Sequence, residues 1–144
     1  MNRSKRILSI AKVAESEEKN AAKEMEKSRQ LLQKQEVHLQ ELTKYKDEYS
    51  ESMNKSFAQG MDAVQLCQYR TFLANLTQAI ERQVQVVSAA NSEMEKMRAL
   101  WLGRYNRTKA LAKAAKNYQI DELEQEKKQQ QKIVDEVSSR NCNH

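Results

Sequence analysis

The chain has 144 residues, 39% hydrophobic and 31% charged, with a net charge of +5, no proline and two glycines, Gly60 and Gly103. Proline and glycine end helices, and proline costs roughly 3 kcal/mol inside one. The composition therefore points to one or two very long helices and away from a compact globule. Catalytic pockets are built from converging loops, and this chain offers few. The mean hydropathy of −0.92 is also compatible with disorder, but an ordered apolar spacing along the chain argues against that.

The first fourteen residues carry Arg3, Lys5, Arg6 and Lys12 and no acid. The apolar run Ile7–Ala11 is too short for a secretion signal and is broken by Lys12. No stretch approaches the roughly 20 apolar residues of a membrane span, so a cytoplasmic, reduced protein without direct membrane insertion is the expectation. At alternating spacings of four and three, Ile7, Ala11, Ala14, Glu18, Ala21, Met25, Ser28, Leu32, Gln35, Leu39, Leu42, Lys46, Tyr49 and Met53 fall in line, and ten of these fourteen are apolar. That spacing is the coiled-coil repeat.

The repeat fails from Asn54 to Gly60. Gly60 is a natural helix-ending residue. Asp62 with Gln65 three positions later reads as an Asp capping box that starts a new helix. A second seam follows: Leu66, Tyr69, Leu73, Leu76, Ile80, Gln83, Val87, Ala90, Met94, Met97, Trp101, Arg104, Thr108, Leu111, Ala115 and Tyr118, thirteen of sixteen apolar. Gly103 keeps the same phase on both sides and reads as a tolerated interior glycine. The expected fold is all-α: a long antiparallel two-helix coiled-coil hairpin in one domain, 1–144. Its helices are expected over about 3–54 and 62–138, with a turn over 55–61 and a disordered tail at 139–144. Folding near residue 58 places Leu42 near Ala74 and Ile7 near Ala110. The chain after Leu111 then overhangs, and from Asp121 it is expected to fray or to bind something.

In an antiparallel pair the g positions of both helices line one flank. Here they are Leu31, His38, Tyr45, Phe72, Ala79 and Val86, mostly apolar where water-facing residues are usually charged. Tyr45 is expected across from Phe72, above Leu42, Tyr49 and Leu76. These rings either widen the seam or form a patch that docks another protein. At the other end, seven basic residues between Lys96 and Lys116 have no acid among them. Antiparallel pairing is expected to bring them beside the four at the start. That surface is either a solvated face or a dock for an acidic partner.

No catalytic constellation, cofactor motif or metal site is legible. His38 lies on a flank, and Cys142 with His144 supplies too few ligands for a structural metal. Cys67, next to the seam, reads as a small buried hydrophobe. Trp101 and Tyr105 could stack on bases, but no recognised nucleic-acid-binding motif is present, and no nucleic-acid partner is expected.

The segments Leu42-x-x-Tyr45-x-x-x-Tyr49 and Gln68-Tyr69-Arg70-x-Phe72-Leu73-x-x-Leu76-x-x-Ala79-Ile80 resemble the FliJ family of the bacterial flagellar type III export apparatus. The resemblance implies an antiparallel coiled coil similar to the central stalk of rotary ATPases, with no catalysis of its own. It implies three partners: the hexameric flagellar export ATPase, the cytoplasmic domain of the export-gate membrane protein, and export chaperones. The gate-facing patch would be Leu42, Tyr45, Tyr49, Phe72, Leu76 and Ala79. The ATPase-facing basic end would include Arg3, Lys5, Arg6, Lys12, Arg104, Arg107 and Lys109. His38 falls at a patch position where an uncharged polar residue is expected. The implied location is the cytoplasmic face of the inner membrane at the flagellar base. The competing class is a homodimeric coiled-coil scaffold, which would need neither Gly60 nor a new cap at Asp62.

Overall fold

The computed structural model describes residues 3–142, which form two helices, α1 (Arg3–Ala58) and α2 (Ala63–Cys142), with no strand among the described residues. Every position of both seams, from Ile7 to Met53 and from Leu66 to Tyr118, is buried or half-buried, and most positions between them are exposed. The alternating four–three spacing is thus the packing stripe of each helix. The described chain divides into two compact units. A hairpin unit spans Ala22–Leu100, and a terminal unit joins the residues up to Ala21 with those from Trp101 onward.

In the hairpin unit the two helix segments run antiparallel from a turn at residues 59–62. The Gln59 amide donates to the carbonyls of Lys55 (3.3 Å) and Ser56 (3.2 Å), and the Gly60 amide donates to that of Phe57 (3.1 Å). Gly60 then takes φ 101°, a conformation that costs other residues a Cβ clash. Asp62 caps α2: the Gln65 amide donates to its Oδ1 at 2.7 Å, and its own amide donates to Gln65 Oε1 at 3.4 Å. This is the reciprocal box expected from the sequence. Helix α1 continues through Asn54–Ala58. That segment lacks the apolar repeat but contains nothing that stops a helix. Leu32 and Leu76 are each 8% exposed and anchor the core.

In the terminal unit the closest packing is made by small side chains, with Ala14 at 3% and Ala115 at 2% exposure. Ser4 is buried beside Glu122: its amide donates to Glu122 Oε1 at 3.3 Å and its hydroxyl to Oε2 at 2.8 Å. This corrects the expected register. In the terminal unit the pairing runs to Glu122, about three turns beyond Leu111, while nearer the turn Tyr45 with Phe72 and Gln35 with Gln83 keep the expected register. From Leu123 to Cys142 each residue is exposed on a helix that continues without interruption. Residues 139–142, expected to be disordered, belong to that helix. Residues 143–144 lie outside the described residues.

Candidate docking surfaces

Four aromatic rings converge in the hairpin unit. Tyr49 is central, its ring centroid 4.4 Å from Phe72, 5.7 Å from Tyr69 and 6.3 Å from Tyr45. Tyr45 meets Phe72 edge-on at 6.1 Å and 81°, a favoured aromatic geometry. This is the cross-flank pair expected from the two g positions. The six patch residues do not contribute equally. Tyr45 and Phe72 reach water at 50% and 36% exposure, Leu42, Tyr49 and Ala79 are half-buried, and Leu76 is buried beneath them. Tyr69, assigned to the seam alone, joins the cluster. Its ring spans the seam to Tyr49, a reach that a heptad letter does not convey.

The apolar flank continues in exposed Leu31 and Val86, while His38 lies with Nδ1 4.0 Å from the Glu41 carboxylate. A shallow groove follows α2 from Ala63 past Cys67 and Phe72 to Asn75. Cys67 is exposed on it, correcting its expected burial. A two-helix pair covers one stripe of each helix, and the position after Leu66 faces outward.

In the terminal unit, Arg3, Lys5, Arg6 and Lys12 are exposed on α1, as are Arg107, Lys109, Lys113 and Lys116 on α2, with Arg104 half-buried. Lys96 and Arg98 belong to the hairpin unit, and the other nine of the eleven basic residues to the terminal unit. The basic surface is not free of acids. Arg104 Nη1 donates to Glu17 Oε2 at 2.6 Å, and Arg107 Nη1 lies 3.7 Å from the same oxygen. Glu17 escaped the sequence reading because it lies just past the acid-free segment. The helix pairing, not proximity in sequence, brings it to Arg104.

Trp101 stacks on Tyr105 at 5.3 Å and 25°, and Lys109 Nζ lies 4.8 Å from the centre of the Tyr105 ring. These residues recur at i, i+4 and i+8, one ladder along α2. Contact with Tyr105, through hydrogen bonding and then charge, raises the proton affinity of the Lys109 ammonium above its ordinary value. Among the described residues no group of three or more His, Cys, Asp or Glu side chains is placed to hold a metal ion. No described helix is long and apolar enough to cross a membrane.

The family model described as the flagellar FliJ protein matches residues 4–144, which includes both helices, the Gly60 turn and the α2 segment beyond Glu122. No curated protein and no solved structure matches the chain. With a family match over nearly its whole length and a fold of two long helices packed through heptad seams, the chain belongs to the FliJ family and is a component of the flagellar export apparatus.

Proposed function

We propose that this protein is a non-catalytic coupling element of flagellar export. Its basic terminal unit binds the export ATPase and promotes assembly or activity of the hexameric ring. Its aromatic patch in the hairpin unit contacts the cytoplasmic domain of the export gate, and it also binds export chaperones. It acts at the cytoplasmic face of the inner membrane. The family match carries this reading. Two surface features support it: aromatic rings left open to water at Tyr45 and Phe72, and a cationic surface made by Arg3, Lys5, Arg6, Lys12, Arg107 and Lys109 with half-buried Arg104. Exposed aromatic side chains are characteristic interface anchors. A cationic surface attracts acidic partners and speeds their encounter. Each contact would bias the state of its own partner, which is coupling between two sites.

The test is turnover of the cognate export ATPase with and without this protein, alongside light scattering of ring assembly. Stimulated turnover with ring formation is expected. Unchanged turnover, together with a homodimer in solution, would return the chain to the scaffold class.

A further inference from the structure

Glu17, one of three acids on α1 in the terminal unit with Glu15 and Glu18, is the one that meets the arginines of α2. Its Oε2 accepts from Arg104 Nη1 at 2.6 Å and lies 3.7 Å from Arg107 Nη1. Arg104 and Arg107 are three residues apart on α2, so their guanidinium groups reach the same side of the helix. Two guanidiniums meeting one carboxylate is the donor geometry that recognises carboxylates. The three side chains are 39%, 55% and 41% exposed for Arg104, Arg107 and Glu17. The pair is therefore wet enough for another carboxylate to enter, and an exposed pair of this kind is held weakly. Glu15, two residues earlier, is occupied by Lys19 at 3.4 Å.

We infer that Arg104 and Arg107 form a carboxylate-binding site for an acidic segment of a partner protein, and that Glu17 fills it in the free protein as an internal competitor. Arg3, Arg6, Lys12, Lys109 and Lys113 are exposed on the same unit and draw an acidic segment to it. Once there, one of its carboxylates replaces Glu17 on the arginines, and Glu17 is released to water. The exchange conserves the number of ion pairs, so it discriminates by geometry more than by net charge. A protein partner is favoured over nucleic acid because the two aromatics beside Arg104 in the chain, Trp101 and Tyr105, are stacked on each other and half-buried, which leaves neither ring free on both faces to accept a base. This inference deepens the reading of the basic end given above and rests on it for the natural partner.

The test titrates poly-glutamate into the full chain at low salt and reads the fluorescence of Trp101, the single tryptophan. The variants are Glu17→Gln, Arg104→Gln and the double substitution, with helicity checked by circular dichroism. Glu17→Gln is expected to tighten binding by about two- to five-fold, and Arg104→Gln to weaken it. In the Arg104→Gln background, Glu17→Gln is expected to give no such gain. The inference is overturned if Glu17→Gln binds no tighter than the unaltered chain. It is also overturned if the same gain persists without Arg104, since net charge alone would then explain it. Tighter binding of an RNA oligomer than of poly-glutamate of equal length at matched salt would overturn the protein-partner assignment. The export ATPase serves as a second probe. Should the poly-glutamate results hold while neither substitution moves ATPase affinity, the carboxylate site stands and the ATPase reading of this end falls.

Discussion

Gln83 and Gln35 meet inside an otherwise apolar seam: Gln83, 8% exposed on α2, donates from Nε2 to the Gln35 carbonyl at 3.0 Å and to Gln35 Oε1 at 2.8 Å. A polar pair at a seam position fixes register at some cost in stability. Slipping the helices by one heptad would bury both amides without partners. Gln83→Ala should destabilise the chain by about 1–2 kcal/mol, because it removes a buried side chain and both its hydrogen bonds to half-buried Gln35. Replacing both glutamines by leucine should be neutral or stabilising, with broader, concentration-dependent unfolding as register and pairing relax. Urea unfolding followed by circular dichroism at two protein concentrations measures both effects.

The two glycines should respond oppositely to alanine. Gly60 sits at φ 101° with open space around it, so the cost at Gly60→Ala is backbone strain alone, about 1 kcal/mol. A Cβ at Gly103 also meets nothing within 4 Å, and its φ is not positive. There the alanine removes a flexible residue from the interior of α2 and should stabilise by about 0.5–1 kcal/mol. Thermal melts of the two single variants decide it, and equal shifts of the same sign would contradict the account.

Within the aromatic cluster, stability and binding should separate. Tyr49 contacts three rings and lies half-buried. Tyr49→Ala should therefore cost about 2–4 kcal/mol. Tyr45→Ala with Phe72→Ala should keep helicity while weakening capture of the export gate's cytoplasmic domain. Undiminished gate affinity in that double variant would remove the patch assignment.

Glu26 and Arg29 offer a direct titration. Arg29 donates to both carboxylate oxygens of Glu26, at 2.9 and 2.6 Å. These hydrogen bonds lower the Glu26 pKa below its ordinary 4.5. A depressed folded-state value means that the pair's contribution is present above pH 4.5 and is lost as the pH falls through the lower folded value. Both side chains are about half exposed, so the effect of the pair is screened and local. Carbon-detected NMR titration should place the Glu26 midpoint below 4.5, and Arg29→Gln should move it upward.

The segment of α2 beyond Glu122 should add helix content but little stability. Its residues are exposed through Cys142, and the hydrogen bond from Gln131 Nε2 to Asp135 Oδ1 at 2.9 Å is local. A single helix without a packed face is marginal in water. Truncation after Glu126 should lower the helical signal and leave the melting temperature nearly unchanged. Amide exchange should likewise be fast from about residue 126 onward. A large drop in melting temperature would mean that the segment packs against the rest of the chain.

The sequence by itself determined the helices, the packing stripe of each and the place where one gives way to the other. These are local properties: a chain without proline, a four–three apolar rhythm, Gly60 to end α1 and Asp62 with Gln65 to begin α2. The contact of Tyr45 with Phe72 was also legible, because flank positions near a turn are fixed by counting outward from it. Tertiary structure decided what counting could not. The offset between the helices grows away from the turn, from Tyr45 with Phe72 to Ser4 with Glu122, and the repeat alone does not show it. Glu17 reaches Arg104 across the helix pair, between residues that no local pattern joins, and Cys67 is exposed because two helices cover only one stripe of each other. Local chemistry chose the elements, while register, set by long-range packing and by a few buried polar contacts, chose which charges and rings meet.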